Sequence, residues 1–443
     1  MGYSWRFRFS LLELVIFSLI SLTALGCQTQ DPNAGIGANV NLVVWGLWQE
    51  SADMEPIIAA FQEETGVNVT YKKIASVAEY EKKLLAALAE RRGPDVFVIH
   101  HTWLAGKLGL MSPAPADIID ERALREEFVD VVADDVIRDG QIYTLPTSVD
   151  TLALYYNKDI LSAAGIARPP ATWLDFQQVV ENITRTTRFG TVAQSAAALG
   201  TAGNINRAAD IMQLLLLQSG QTILDPAKGT ASLADEIGER SLTFYTDFAN
   251  KSKKVYTWDL QQDYSIDAFA EGATAMMLNY SYHIPTIRAK NPRLRFDIAP
   301  LPQISDGKVI NFASYWPYAV SNQSPAPTAA WRFVRYLTNA ESAQALNEAS
   351  STPPARRDAV VNLIRDPTLG VFAEQSLTAV TWPRIDIVAI DTIFNTMIDD
   401  VVTGAATPIE SLRRAEGQLN QLQPEPESEP AAPEPEGPGL PGL

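Results

Sequence analysis

The sequence predicts a mixed α/β protein with more than one domain, and three observations carry that prediction. At 443 residues the chain exceeds what one hydrophobic core accommodates, which suggests two or three domains. Across residues 41–99, apolar strands alternate with amphipathic helices over short connections, the rhythm of a mostly parallel sheet covered by helices on both faces. Finally, residues 143–158 follow a turn at Asp139-Gly140-Gln141 and run through β-prone residues broken only by Pro146. Such a run reads as a strand leaving one compact unit and entering another. Asp150 stands in its middle, where an acid must be satisfied by protein donors or wait for a ligand.

Composition narrows the function classes. A formal net charge of −17 argues against nucleic acid and anionic lipid surfaces as partners, since both need clustered Lys and Arg. Cys27 is the only cysteine, which excludes an intramolecular disulfide and a Cys-based metal cluster.

Residues 1–27 read as a processing segment. Arg6 and Arg8 form a positive start, residues 14–25 an apolar core too short to span a bilayer comfortably, and Ala24-Leu25-Gly26-Cys27 closes it. This resembles a lipoprotein signal peptide with Cys27 as the acylated first residue of the mature chain, although Ala24 stands where the lipobox usually has Leu. An uncleaved N-terminal anchor helix is the alternative. Residues 28–39 form a polar linker. The fold begins with a strand at 41–46 and a helix at 55–64, whose Ile57, Ile58 and Phe61 recur at helical spacing before Gly66 ends it. Next come a strand at 67–72, a helix at 78–91 stopped by Gly93-Pro94, and a strand at 95–99. Ligands of such sheets gather at the carboxyl ends of the strands, which directs attention to Trp45, Trp48, Glu50, Asp95, His100, His101, Thr102 and Trp103.

Beyond residue 158 the pattern predicts helices at 173–185, 208–219 and 237–252, the second so apolar that it must be buried, with a turn at Asp225-Pro226. A strand at 273–278 delivers Asn279, Tyr280, Ser281 and Tyr282; further strands lie at 296–300 and, as a return crossing, at 310–316. Helices at 328–338 and 393–402 close the order. From Gln423 Pro, Glu and Gly dominate without apolar period, a disordered tail over 423–443.

Several strings resemble, in order, the family 1 extracellular solute-binding proteins, the sugar-binding lipoproteins of ABC importers. They are Leu42-Val-Val-Trp-Gly, Phe61-Gln-Glu-Glu-Thr-Gly-Val-Asn-Val, Arg92-Gly-Pro-Asp-Val-Phe-Val-Ile, Gly140-Gln-Ile-Tyr-Thr-Leu-Pro, Leu154-Tyr-Tyr-Asn-Lys-Asp, Asp267-Ala-Phe-Ala-Glu-Gly-Ala-Thr-Ala-Met-Met and Ala299-Pro-Leu-Pro. The resemblance extends over about residues 40–422. It implies a type II periplasmic-binding-protein fold, with lobes formed by 40–150 plus 312–365 and by 151–311 plus 366–422, joined by crossing hinge strands. It also implies a monomeric extracytoplasmic binder, not an enzyme, with no cofactor and no metal, held at the cell membrane through lipid on Cys27. Such a binder delivers a sugar or oligosaccharide to ABC permease subunits. Within it Asp150 matches a sugar-binding carboxylate, Tyr282 an aromatic that stacks on a sugar ring, and Arg356 a proline-arginine segment beside the cleft.

A sugar presents apolar C–H faces and a rim of hydroxyls, so its site needs flat aromatic side chains and groups that bridge hydroxyls. Trp45, Trp103, Trp258, Tyr282, Trp316 and Trp382 are the aromatic candidates; Glu50, Asp95, Thr102, Asp150, Asn279 and Arg356 are the polar ones. Core packing competes for every Trp, turn capping for Asp95 and a surface ion pair for Arg356. His100 and His101 lack a metal-ligand partner at helical spacing. A secreted glycoside hydrolase, which needs two paired carboxylates, and a binder of polyamines or peptides stay open as alternatives. If Asp150 is a ligand group, its loss weakens binding and leaves unliganded stability nearly unchanged.

Overall fold

The computed structural model describes residues 40–225 and 229–423. The signal segment, Cys27, the 28–39 linker, Pro226 of the predicted turn and residues 424–443 of the tail lie outside the described residues.

The first sheet runs Asn68–Lys73, Asn41–Gly46, Val96–Val98, Tyr318–Ser321, Met111–Ser112, with Thr144–Leu145 also paired to Tyr318–Ser321. Its first three strands are parallel, as crossover connections through helices Ser51–Thr65 and Val77–Ala89 allow. Tyr318–Ser321 enters from the far side of the chain and is antiparallel to its neighbours. The second sheet is ordered Arg185–Thr186, Val192–Ala197, Thr274–Asn279, Ala153–Asn157, Phe296–Ala299. Only Val192–Ala197 with Thr274–Asn279 is parallel there, so the expectation of mostly parallel sheets holds for the amino-terminal strands alone.

Each sheet has its own core. One packs Leu42, Val44, Phe61, Val96–Val98, Trp331 and Phe333; the other packs Leu154, Tyr155, Phe176, helix Ala208–Gln218, Trp258, Phe269 and Met276. Helix Ala208–Gln218 buries ten of its residues, three of them the polar Asp210, Gln213 and Gln218, consistent with its place inside the second core. A third sheet of three short strands, Ala379–Val380, Asn311–Ser314 and Asp150–Thr151, lies between the cores. Pleating makes neighbouring side chains on such a strand point opposite ways. Phe312 therefore joins the second core and Ala313 the first, while Val149 belongs to the first and Leu152 to the second.

Helices Glu121–Glu127, Asp130–Val136, Ala340–Ser350 and Pro408–Leu422 went unpredicted. The last carries a capping box from Thr407 to Glu410 with Pro408 in its first turn, a start signal present in the sequence.

Gly66 has φ +72° just past helix Ser51–Thr65, the left-handed stop that glycine tolerates. Gly200 is more tightly constrained: its φ is +118°, and a Cβ there would lie 2.6 Å from the Ala249 nitrogen and 2.9 Å from the Phe248 carbonyl carbon. Gly200→Ala should therefore lower stability by about 2–3 kcal/mol, from backbone strain and overpacking together. Urea denaturation at constant m-value checks this, and an unchanged midpoint would refute it.

Candidate functional site

The carboxyl ends of Asn41–Gly46 and Val96–Val98 and the end of the crossing strand Asn311–Ser314 converge on one aromatic group. Trp316, half-buried, meets Trp48 edge-on at 5.9 Å, Trp103 at 5.3 Å and His100 at 5.1 Å. Trp48 is 47% exposed and Trp103 only 2%, so Trp48 and Trp316 present ring surface while Trp103 backs them, its own ring covered by Lys107 at 4.8 Å. Thr102 is buried and bonds His100 Nδ1 at 2.8 Å, and His100 Nε2 reaches Ser314 Oγ at 3.1 Å. Burial holds His100 well below the usual histidine range, and the Arg384 and Arg207 guanidiniums of the second core add to the effect.

Beside the second core Thr274–Asn279 ends in the turn Ser281–His283, which sets Tyr282 41% exposed against the buried Tyr280, rings 5.7 Å apart and nearly parallel. Arg207, at φ +65°, donates from Nε to the Tyr282 hydroxyl at 2.9 Å. Tyr280 donates to Asp210 at 3.0 Å, and the fully buried Arg384 sits 3.3 Å from Asp210 and 3.8 Å from Asp391. Trp382 is buried beside them, its indole N–H donating to Gln213 at 2.7 Å. Asn279 is buried at the strand end, its Oδ1 accepting from Tyr280 N at 2.9 Å.

Asp150 and Asp135 tie the crossing strands to these walls. The Asp150 carboxylate accepts from Thr151 N at 2.8 Å, Ser281 N at 2.9 Å and Ser281 Oγ at 2.8 Å. Protein donors thus already satisfy it, the first of the two alternatives that the sequence leaves open. Burial pushes its carboxyl up to about 7, against the pull of the Ser281 and Thr151 donors. Asp135 accepts from Tyr315 at 2.8 Å and from Thr381, and pairs with His101 Nδ1 at 2.9 Å, so one carboxylate gathers residues that lie just beyond two of the crossings.

Five other expected site residues lie elsewhere. Asp95 precedes Val96–Val98, at the amino rather than the carboxyl end of that strand, and accepts from Val43 N at 2.8 Å and Ser324 Oγ at 2.5 Å; it ties strands together. Trp258 is fully buried in the second core with its N–H on Asn204 at 3.0 Å. Arg356 spans Glu127 at 2.5 Å and Asp358 at 2.9 Å, joining two surface segments of the first core. Trp45 projects from the sheet face opposite Val44, half-buried under the Lys72 ammonium at 4.9 Å, away from Trp316. Glu50 is exposed and paired with Lys73. Arg207, Asp210 and Arg384 were not among the sequence candidates; charged residues beside an apolar helix and after Trp382-Pro383 were the available signal. Among the described residues no group of three His, Cys, Asp or Glu could hold a metal ion, and no helix is long and apolar enough to cross a membrane.

A sequence profile of bacterial extracellular solute-binding proteins matches residues 46–344. A maltotriose-binding protein of Pyrococcus abyssi is 26% identical over 59% of this chain and 54% of its own length, so the match spans about half of that relative. A galactooligosaccharide-binding protein of Bacillus subtilis is 22% identical over 89% of this chain and 92% of its own. Among solved structures, a cyclo/maltodextrin-binding protein complexed with maltotetraose superposes with a TM-score of 0.74 at 19% identity, covering 87% of this chain and 98% of the other. An ABC transporter solute-binding protein from Thermotoga lettingae, bound with α-D-tagatose, gives 0.68 at 23% identity, covering 86% and 99%. The fold is that of these α/β periplasmic binding proteins.

The Asp150 geometry predicts a structural phenotype. Asp150→Ala leaves the Ser281 N–H and hydroxyl without their acceptor and should cost about 2–4 kcal/mol of unliganded stability. Because the folded pKa is raised above the unfolded value, the folded state holds the extra proton between about pH 4 and 7. Its stabilising effect is complete below about pH 4 and is lost as pH rises through about 7. The stability difference between the parent and Asp150→Asn should shift against the parent across that window, measured by thermal unfolding at several pH values; a pH-independent difference would refute it.

Proposed function

Because the chain belongs to the bacterial extracellular solute-binding proteins, we propose that it captures a sugar or oligosaccharide and hands it to the permease of an ABC importer. The family binds solute without transforming it. The observation that carries the carbohydrate reading is the pair of aromatic walls: exposed Trp48 and half-buried Trp316 on one core, exposed Tyr282 on the other, with charged hydrogen-bonding groups around Tyr282. Ring faces of that kind cover the C–H faces of a sugar, while amide, carboxylate and guanidinium groups meet its hydroxyls. The sugar ligands of the maltodextrin- and galactooligosaccharide-binding relatives support the same class.

In this reading residues 40–150 with 312–365 form one lobe and 151–311 with 366–422 the other. The lobes turn about the three crossing strands, and a sugar that touches both walls favours the closed arrangement because only there does it gain both sets of contacts. Lipid on Cys27 tethers the protein outside the cell membrane, residues 28–39 serving as the leash; the position of the lone cysteine after a short apolar segment supports this.

The test is a thermal-shift screen against neutral oligosaccharides, followed by calorimetry on those that stabilise; a ligand at 100 times its Kd adds about 2.7 kcal/mol. Trp48→Ala should weaken sugar binding about tenfold, or ~1.4 kcal/mol, without moving the unliganded midpoint, since the side chain is exposed. Trp258→Ala should do the reverse, costing about 3–5 kcal/mol of stability as a core truncation. A Trp48 variant that binds as the parent does would remove the platform role.

A further inference from the structure

Residues 381–386 join the crossing strand Ala379–Val380 to helix Ile387–Val402 and contact the two cores in alternation. Toward the first core, Thr381 donates to Asp135 on helix Asp130–Val136, and Ile385 seats against Gly106 on helix Leu104–Lys107. Toward the second, Trp382 donates to Gln213 at 2.7 Å and Arg384 lies 3.3 Å from Asp210, both partners on helix Ala208–Gln218. Ile387 then packs on the first core and Ile390 inside the second. The Gly106 seat is tight: a Cβ there would lie 2.8 Å from Ile385 Cγ2 and 3.2 Å from the Ile385 carbonyl oxygen. Gly106 stands three residues after Trp103, so this contact is made beside the aromatic wall and not within the crossing strands.

The two sets of contacts differ in what parting them costs. Arg384 is fully buried, and drawing it away from Asp210 would leave two buried charges uncompensated, the most expensive kind of loss in a protein interior. Thr381 and Ile385 are only half-buried. When the Thr381 hydroxyl leaves, Asp135 keeps the Tyr315 hydroxyl at 2.8 Å and His101 Nδ1 at 2.9 Å, so its carboxylate is not stranded. A rotation of the cores about the crossing strands therefore carries this segment with the second core and parts it from the first.

We propose that residues 381–387 are a strap that latches the free protein at the inter-core angle seen here, with the Thr381–Asp135 bond and the Gly106 seat as its release points. Neither anchor is a ring of the aromatic walls. The strap sets the share of the free protein held at this angle, and that share scales the affinity for any ligand that favours it. This inference rests on the reading of two lobes that turn about the crossing strands, and not on the ligand being a sugar.

The experiment is double electron–electron resonance on the full chain carrying Cys27→Ser, so that spin labels sit only on two introduced thiols. These are Glu63→Cys on helix Ser51–Thr65 and Gln178→Cys on helix Trp173–Ile183, one exposed position for each core. Without ligand, Thr381→Val and Gly106→Ala should each shift the label-to-label distance by more than about 2 Å, the scale of hinge rearrangements. Their thermal midpoints should stay within a few degrees of the parent, which separates a change of angle from a loss of fold. Adding Ile385→Ala to Gly106→Ala removes the clashing Cγ2 and should return the distance toward that of the parent. Distances unchanged in Thr381→Val and Gly106→Ala overturn the strap; if saturating maltotetraose still shifts them, the turning lobes stand and only the strap falls. A distance that neither variant nor a bound sugar moves overturns the turning lobes as well.

Discussion

The structure depends on three short strands that pair only with one another between two independent cores. Because a pleated strand sends consecutive side chains to opposite faces, Phe312 and Ala313 anchor the same two-residue step in different cores. Backbone hydrogen bonds hold these strands in register, while two carboxylates, Asp150 buried and Asp135 partly buried, fix the segments next to them. Asp150 clasps Ser281 at the start of the turn that carries Tyr282, and Asp135 gathers His101, Tyr315 and Thr381. An element that contributes side chains to both cores joins them through backbone hydrogen bonds, and the proposed ligand-driven closure would turn about it.

The same economy governs the proposed binding walls. Each projects from the carboxyl ends of strands in its own sheet, so the aromatic rings are held by rigid elements and little conformational entropy is lost when a ligand arrives. The walls differ in chemistry. The first is indole-rich with two histidines whose pKa burial lowers; the second is a lattice of paired charges with unpaired acceptors beside it. A ligand with a flat apolar face and a hydroxyl rim satisfies both.

Much of this was legible from residue order. Amphipathic spacing in Ser51–Thr65 and Val77–Ala89 and the apolar run of Ala208–Gln218 located those helices, whereas the run predicted as one strand over 143–158 is divided among Thr144–Leu145, Asp150–Thr151 and Ala153–Asn157. The polar site was less legible. Asp150 stands out in the sequence as an acid that must be satisfied, but a single chain cannot show that Ser281, 131 residues away, supplies the donors. Asp95 and Arg356 likewise find partners across 52 and 229 residues, distances at which periodicity carries no information. Trp45 and Trp48 differ only in which side of the strand end they leave from, and a shift of one residue in register exchanges such roles.

Amide hydrogen exchange with and without a saturating neutral oligosaccharide tests the central claim most directly. If a sugar bridges two walls, protection should rise together around Trp48, His100–Trp103 and Trp316 on one side and around Ser281–His283 and Arg384 on the other, while exchange inside both cores stays unchanged. Protection confined to one wall, or absent at full occupancy, would contradict it.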